Sequence, residues 1–225
     1  MDSIEIEKHL NEKGFVHLQA VLSKEECQML QGLYTTNSFR SVINMQRYRF
    51  GKGEYKYFSY PLPQLLQRMR AEFYKQLAPI ANRWMNMLCL GLSYPDNHAD
   101  FIKQCHDKGQ LRPTPLILRY EEGGFNTLHQ DLYGEVYFPF QVVFILTEPE
   151  VDHRGGELVF VEQLPRAQSK AEVLSPGRGD AVIFTTNFRP VQGARRYYRA
   201  KMKHGVSPVR SGVRMALGII FHDGA

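Results

Sequence analysis

The sequence has few cysteines, and their spacing excludes the common cysteine-based sites. Its 225 residues include only three, Cys27, Cys89 and Cys105. No two of them form a C-x-x-C pair, and an odd number cannot all be joined as disulfides. A disulfide framework and a structural zinc site are therefore not expected, and we predict a reducing, cytoplasmic environment.

Long apolar runs are also missing. Residues 1–8 are charged and lack the apolar segment of an export signal, and no stretch approaches the roughly 20 residues that cross a bilayer. Neither an internal repeat nor a linker rich in Pro, Gly and Ser interrupts the chain. We expect one domain over residues 1–225, with no membrane partner.

The net charge of +5 is less informative than its distribution. Basic and aromatic residues alternate in two stretches, 47–58 and 189–203, and the second contains Arg195 and Arg196. Guanidinium groups beside aromatic rings suit a phosphate backbone and stacked bases. Solvated hairpins with Lys and Arg outward and Tyr and Phe inward would give the same pattern, so both interpretations stay open.

The two parts of the chain differ in their hydrophobic pattern. Residues 1–112 are mainly helical: Ser23 and Glu26 form a capping box, and apolar residues recur at three- and four-residue steps between Leu65 and Leu88. That second pattern predicts one helix, or two that bend at Pro79. A short strand is expected at 14–18 and a further helix at 97–107.

Short apolar segments separated by turn residues follow from residue 113 onward. This spacing of short strands and turns favours a sandwich or jelly roll over a parallel sheet. We therefore predict an α+β fold, in which a double-stranded β-helix (jelly roll) over 113–225 is supported by the helices of 1–112. Strands are expected at 116–120, 125–131, 141–147, 156–161, 180–185, 201–206 and 213–221.

The most informative motif is the triplet His129-Gln130-Asp131. In an extended strand, side chains two residues apart point the same way, so His129 and Asp131 can bind the same metal ion. With His204, they could form the 2-His-1-carboxylate set that binds ferrous iron and leaves open positions. A strand histidine satisfied by a neighbouring carboxylate is the alternative for the triplet alone.

The last strand places a cation beside small residues. Side chains alternate between the two faces of a strand, which places Arg214, Ala216 and Gly218 on one face and bulky apolar residues on the other. An interior arginine with space around it needs an anionic ligand, because an unpaired buried charge is costly. A bidentate pair with the distal carboxylate of 2-oxoglutarate would satisfy Arg214.

These motifs resemble the Fe(II)/2-oxoglutarate-dependent dioxygenase superfamily over residues 115–222. Arg119-Tyr120, Gly123 and Leu128-His129-Gln130-Asp131 are similar to the signature of AlkB-type dioxygenases that repair alkylated DNA. The spacing from His204 to Arg214, and the segment Gly155-Gly156-Glu157-Leu158, are closer to prolyl-hydroxylase-like members. Leu118 stands where the AlkB pattern has Asn, and no second arginine follows Arg214. The whole chain most resembles a prokaryotic oxygenase family proposed to act on damaged nucleic acid.

The resemblance implies specific roles. His129, Asp131 and His204 would bind Fe(II), Arg214 and Tyr120 would hold the cosubstrate 2-oxoglutarate, and ascorbate could stimulate turnover. The expected reaction is C–H hydroxylation leading to oxidative demethylation of alkylated nucleic acid presented as a single strand or flipped base. The candidate substrate contacts are Tyr133, Phe50, Tyr55, Tyr57, Arg195 and Arg196.

Two other functions remain open at this level. A prolyl or other protein hydroxylase would perform the same step on a peptide bound along a groove near Tyr133 and Phe138. A non-catalytic or cupin-like metal-binding protein would keep the fold and lack 2-oxoglutarate turnover.

Overall fold

The computed structural model describes residues 2–225. Four α-helices lie within this range, together with two short 3-10 turns at Leu33–Thr35 and Met45–Tyr48. The helices are α1 (Ser3–Lys13), α2 (Lys24–Gly32), α3 (Gln64–Met87) and α4 (His98–Asp107).

The predicted capping box is confirmed. The Ser23 hydroxyl accepts from the Glu26 amide and the Glu26 carboxylate accepts from the Ser23 amide, so α2 begins with a complete capping box. Asn97 caps α4 through the Asp100 amide. Pro79 does not divide the long helix, because α3 continues through it for 24 residues.

Strands form the rest of the regular structure. In chain order they are β1 (Phe15–Leu18), β2 (Phe39–Asn44), β3 (Gly51–Lys52), β4 (Glu54–Phe58), β5 (Leu116–Tyr120), β6 (Phe125–His129), β7 (Phe140–Ile145), β8 (His153–Gly155), β9 (Leu158–Gln163), β10 (Lys170–Leu174), β11 (Ala181–Thr185), β12 (Phe188–Gln192), β13 (Tyr197–Val206), β14 (Val209–Gly212) and β15 (Arg214–Ile220).

Two antiparallel sheets account for most of these strands. The larger has the order β1-β11-β7-β15-β5-β4-β2, and the second has the order β10-β9-β13-β6-β3 with β12 paired to β13. Strands β8 and β14 form a separate pair. This architecture confirms the predicted jelly-roll core with supporting helices.

Both faces of the larger sheet are covered. Met215, Leu217 and Ile219 of β15 pack in the core that the sheet shares with the helices. Ala216 lies on the opposite face, in the layer between the two sheets. The parity predicted for this strand is therefore confirmed, and it directs Arg214 between the sheets.

The first part of the chain contributes more than helices. Strands β1, β2 and β4 belong to the larger sheet, and β3 pairs with β6 of the second sheet. The mainly helical prediction for 1–112 missed β2, because the residues of 39–44 do not alternate cleanly between apolar and polar. Strands β3 and β4 lie within 47–58, where a hairpin was one of the two open interpretations, but they pair with β6 and with β2 and β5 instead of with each other. Among the helices of residues 2–225, none has the length and apolar character needed to span a membrane.

Candidate metal centre and active site

The three predicted ligands converge on one wall between the sheets. His129 ends β6 and pairs directly with His204 of β13 across the antiparallel ladder, with ring centroids 4.2 Å apart. Asp131 follows two residues after the strand. Its carboxylate oxygens lie 3.5 Å from His129 Nε2 and 3.1 Å from His204 Nε2. One donor atom from each residue fits within a set no more than 4.8 Å across.

Backbone contacts orient the donors. His129 Nδ1 lies 2.7 Å from the Thr127 carbonyl oxygen. A carbonyl can only accept, so Nδ1 carries the proton and the Nε2 lone pair is free to bind a metal. Gln130 points elsewhere and donates from Nε2 to the carbonyls of Asn187 at 2.7 Å and Met202 at 2.8 Å. These bonds tie the triplet to β13 and to the turn between β11 and β12.

The cluster holds a carboxylate in its charged form. Burial alone would raise the pKa of Asp131, but its close contacts with the His129 and His204 imidazoles outweigh burial and keep the pKa well below its ordinary value. Burial lowers the pKa of His204, and the nearby His129 lowers it further. An ionised carboxylate and neutral imidazoles are the forms that bind a divalent metal.

A buried cation marks the second part of the site. Arg214 is 2% exposed, and among the described residues no carboxylate lies within 4 Å of its guanidinium. The guanidinium carbon is 5.7 Å from the centre of the Tyr120 ring, and the Tyr120 hydroxyl is buried with no hydrogen-bond partner in the described part of the chain. A Cβ on Gly156 would approach Arg214 Cδ to 2.6 Å, so glycine is needed there to accommodate the arginine. An anion that also accepts from a phenol would satisfy both groups.

Both groups open onto one cavity of about 220 Å³. His129, Asp131 and His204 line it, as do Tyr120 and Arg214. Ala216 and Gly218 follow Arg214 on the same face of β15, and their small size leaves space in this part of the cavity. A metal ion and a dicarboxylate could therefore be adjacent within this volume.

The predicted substrate contacts fall into three groups. Phe50, Tyr55 and Tyr133 line the cavity. Tyr57 is buried behind them, with its ring 5.3 Å from that of Tyr55 and 6.2 Å from that of Tyr133. Phe138 does not line a groove, because it is fully buried in the core beneath the helices. The expectation of a peptide along Phe138 is therefore wrong.

Arg195 and Arg196 lie away from this cavity. They are exposed in the turn between β12 and β13 and are absent from the cavity wall. Eight residues of extended chain separate Arg196 from His204, or roughly 25 Å at the usual rise per strand residue. Their contact with a substrate requires a polymer that extends beyond the cavity, and it remains a prediction.

Two contacts escaped the sequence reasoning. The Tyr133 hydroxyl donates to Asp131 Oδ1 at 2.5 Å, so Tyr133 supports a metal ligand as well as lining the cavity. Gln141, the second residue of the otherwise apolar strand β7, lines the cavity. Gln141 is the one polar residue in the apolar run 140–146, and this isolation could have marked it as a residue of the site.

The donor set fits iron and 2-oxoglutarate. Two imidazoles and one carboxylate match the facial set of non-haem iron oxygenases, and an unpaired buried arginine beside an unpaired phenol matches the far carboxylate of an oxo-diacid. A closed structural zinc site would bring a fourth protein ligand, and within residues 2–225 the cluster contains three.

Comparisons with known proteins identify the family of this chain. The model of the Oxygenase-NA family, described as an oxygenase catalysing oxidative methylation of damaged DNA, matches residues 53–224. Two uncharacterized proteins of Mycobacterium tuberculosis, from strains CDC 1551 and H37Rv, are each 44% identical over 168 residues, which is 75% of this chain and 72% of theirs.

Solved structures share the fold at low sequence identity. A Pseudomonas putida prolyl-4-hydroxylase superposes with a TM-score of 0.61 at 14% identity, covering 99% of this chain and 100% of that one. A Burkholderia pseudomallei oxidoreductase of the 2OG-Fe(II) oxygenase family superposes with a TM-score of 0.58 at 16% identity, covering 100% and 93%. The chain belongs to the Oxygenase-NA family, and its fold is that of the Fe(II)- and 2-oxoglutarate-dependent oxygenases.

Proposed function

We propose that this protein is an Fe(II)- and 2-oxoglutarate-dependent dioxygenase that demethylates alkylated nucleic acid by hydroxylating a C–H bond. The observation that carries the proposal is the single cavity in which the His129, Asp131 and His204 donors face the unpaired Arg214 and Tyr120. Membership of an oxygenase family described as acting on damaged DNA supports the substrate class.

Each residue has a defined task in this proposal. His129, Asp131 and His204 hold the metal, which together with 2-oxoglutarate supplies the oxidation of a C–H bond by dioxygen. Arg214 pairs with the far carboxylate of 2-oxoglutarate, and Tyr120 donates its phenol to the same group. The apolar wall around them excludes water from the reacting groups.

The overall reaction balances for an N-methylated base. One atom of dioxygen enters succinate, formed with carbon dioxide from 2-oxoglutarate, and the other converts the N-methyl group to N-hydroxymethyl. That hemiaminal then loses formaldehyde, which removes the methyl group. Formaldehyde and succinate should therefore be released in equal amounts.

The surface at the cavity mouth suits a nucleic acid. Phe50 lines the cavity yet is 46% exposed, and its ring stacks on that of Tyr48 at 5.5 Å with an 18° angle between planes. Arg47 and Arg49 flank Tyr48 and are exposed, without an acidic partner within 4 Å among the described residues. Aromatic faces beside cations are the usual platform for unpaired bases and phosphates.

One experiment separates the candidate substrates. Succinate release is measured with Fe(II), ascorbate and 2-oxoglutarate against methylated single-stranded DNA, methylated RNA and proline-containing peptides in parallel. We expect release that depends on a methylated oligonucleotide, is matched by formaldehyde, and is abolished in His204→Ala. Release that only a prolyl peptide stimulates would establish the protein hydroxylase instead. Absence of release with every substrate would favour a non-catalytic metal-binding protein.

Salt gives a second test of the substrate class. Binding to a polyanion weakens steeply as salt rises, because condensed counterions are released from the phosphates. We expect the affinity for single-stranded DNA to fall by about tenfold or more between 50 and 200 mM salt. Turnover that does not respond to salt would argue against a nucleic acid.

A further inference from the structure

Strand β7 carries one polar side chain toward the cavity. Phe140 and Val142 pack beneath the helices, while Val143 and Ile145 face the layer between the sheets. Gln141 shares the face of Val143 and Ile145 by the alternation of the strand, and it is 4% exposed. Its amide therefore lies in the cavity wall instead of in solvent.

This amide has no protein partner. Its Nε2 atom is buried and makes no hydrogen bond within residues 2–225. Buried polar groups in proteins are nearly always bonded, and an unbonded one destabilises the fold. An apolar residue of similar size would fit the surrounding strand better, so the fold itself gives no reason for the glutamine.

Gln141 lies at the end of the cavity away from the cation, and its strand partner packs against one of the proposed metal donors. Gln141 pairs with Phe184 of β11, whose ring is 4.7 Å from that of His204. On its other side it pairs with Ile220 of β15, six residues from Arg214, or roughly 20 Å along the strand. Arg214 occupies the cosubstrate end of the cavity, so Gln141 belongs to the end left for the substrate.

Tyrosines surround that end of the cavity. Tyr55 and Tyr133 line it and pack against the cluster that contains Ile220 and Tyr57. The rings of Tyr55 and Tyr133 each meet that of Tyr57 almost perpendicularly, at 86° and 89°. Aromatic walls and one carboxamide suit a flat ring with a hydrogen-bonding edge.

We propose that Gln141 reads the edge of the target base, which makes this end of the cavity a nucleobase pocket. A carboxamide presents a donor and an acceptor side by side, and it matches the N6 and N7 atoms of adenine. A methyl group on another ring nitrogen leaves that edge free. The ring carbons of a prolyl residue offer no such edge. The proposal rests on the proposed nucleic-acid substrate and specifies how the substrate is recognised.

Thermal unfolding distinguishes recognition from a structural role. Gln141→Leu removes the unbonded amide, and we expect an unchanged or higher Tm. Gln110→Leu is the matched control, because Gln110 is also buried but donates to the Val136 and Asp223 carbonyls and accepts from the Val136 amide. Its Tm should fall clearly. A comparable fall in Gln141→Leu would overturn the proposal.

Binding then tests the recognition itself. Protein loaded with Mn(II) and 2-oxoglutarate, without oxygen, is titrated with single-stranded oligonucleotides that carry 1-methyladenine or an abasic site at one position. We expect the wild type to prefer the methylated base by about tenfold, as one bidentate base contact provides. Gln141→Leu should lose this preference while its affinities for the abasic strand and for 2-oxoglutarate stay within about twofold of the wild type.

The two proposals fail in different ways. If the wild type prefers the methylated base and Gln141→Leu keeps that preference, Gln141 does not read the base although the nucleic-acid function stands. If the wild type binds no oligonucleotide, the nucleic-acid function falls and the base-reading role falls with it. Gln141→Glu, which keeps the size and loses the donor, should behave like Gln141→Leu.

Discussion

The Tyr133 hydroxyl touches the carboxylate that completes the metal site. It donates to Asp131 Oδ1 at 2.5 Å, and Asp131 also contacts both imidazoles. Groups that hydrogen-bond to a metal ligand fix its orientation and influence metal affinity. Tyr133 is therefore a positioning residue in the proposed reaction in addition to part of the substrate pocket.

Replacing Tyr133 with Phe should weaken metal binding. We expect the Kd for Mn(II) to rise roughly tenfold, because Asp131 loses the bond that orders it. Tyr57→Phe is the control, since Tyr57 packs against Tyr133 without bonding to a ligand. Anaerobic calorimetry measures both variants. Equal Mn(II) affinity in Tyr133→Phe and the wild type would show that the hydroxyl does not position Asp131.

Replacing Arg214 with Met should abolish tight cosubstrate binding. Methionine keeps the length of the side chain but removes the only charge proposed to pair with 2-oxoglutarate. Loss of one member of a buried charged pair typically costs about 3 kcal/mol, or roughly a hundredfold in Kd. Mn(II) affinity should stay close to that of the wild type.

Arg210→Met controls for loss of a nearby arginine. Arg210 is exposed and pairs with Glu157 outside the cavity wall, so its variant should bind 2-oxoglutarate normally. Titration of 2-oxoglutarate into the Mn(II)-loaded proteins compares the two. The cosubstrate role of Arg214 fails if its variant binds as tightly as the Arg210 variant.

Among the elements, the segment that joins β2 to β4 is the one we propose to contact the substrate outside the cavity. Its Phe50 ring lines the cavity, and the exposed Tyr48 ring stacks on Phe50. Its position is fixed by β3, which pairs with β6, the strand that carries His129. The Thr127 amide also donates to the Phe50 carbonyl at 2.8 Å. The platform and the metal ligand are therefore attached to the same strand.

Removing one ring of the platform should weaken binding of single-stranded DNA. Tyr48→Ala or Phe50→Ala should each cost about 1–3 kcal/mol, the usual value of one base stacked on an aromatic side chain. Val173→Ala, an exposed position on β10, should leave binding unchanged. Fluorescence anisotropy with a labelled oligonucleotide measures the effect. If all three variants bind alike, the platform does not contact the strand.

Across the whole molecule, buried neutral histidines make stability depend on pH. Burial lowers the pKa of His98 to about 3 and that of His222 to about 4. His222 Nδ1 accepts from the Phe138 amide, a bond that requires the neutral ring. His98 Nε2 lies 2.8 Å from the Phe221 carbonyl oxygen and donates to it. Both histidines therefore remain uncharged in the folded protein over the usual pH range.

Acidification should destabilise the protein through these two groups. Below the ordinary pKa of about 6.5 the unfolded chain takes up protons that the folded chain does not. Their stabilising contribution is complete above that pH and is lost as the pH falls toward 4. The loss should approach about 1.4 kcal/mol per pH unit for each group. Urea unfolding at pH 5 and 7.5 measures it, and His98→Gln should show a shallower dependence. Equal stability at both pH values would contradict this account.

Much of the fold could be predicted because hydrophobic periodicity is a local property. The capping box at Ser23, the α4 helix and seven of the strands after residue 113 were predicted from spacing, whereas the strand prediction omitted β8, β10, β12 and β14. The parity of β15 predicted which face carries Arg214. Strand β2 was missed, and the partners of β3 and β4 could not be predicted, because β3 and β4 pair with β6 and β5, which are distant in sequence, and β2 pairs in turn with β4.

The sequence by itself determined the chemistry of this protein: a histidine and a carboxylate two residues apart, a second histidine, and an arginine on a small-residue strand face. These depend on residue type and on the alternation of a strand, which are both local. Only the tertiary structure decided that Tyr133 bonds to Asp131, that Gln141 lacks a partner and that Arg195 and Arg196 lie away from the cavity. Such relations depend on which strands pair and on which side chains meet between two sheets, and long-range packing sets both.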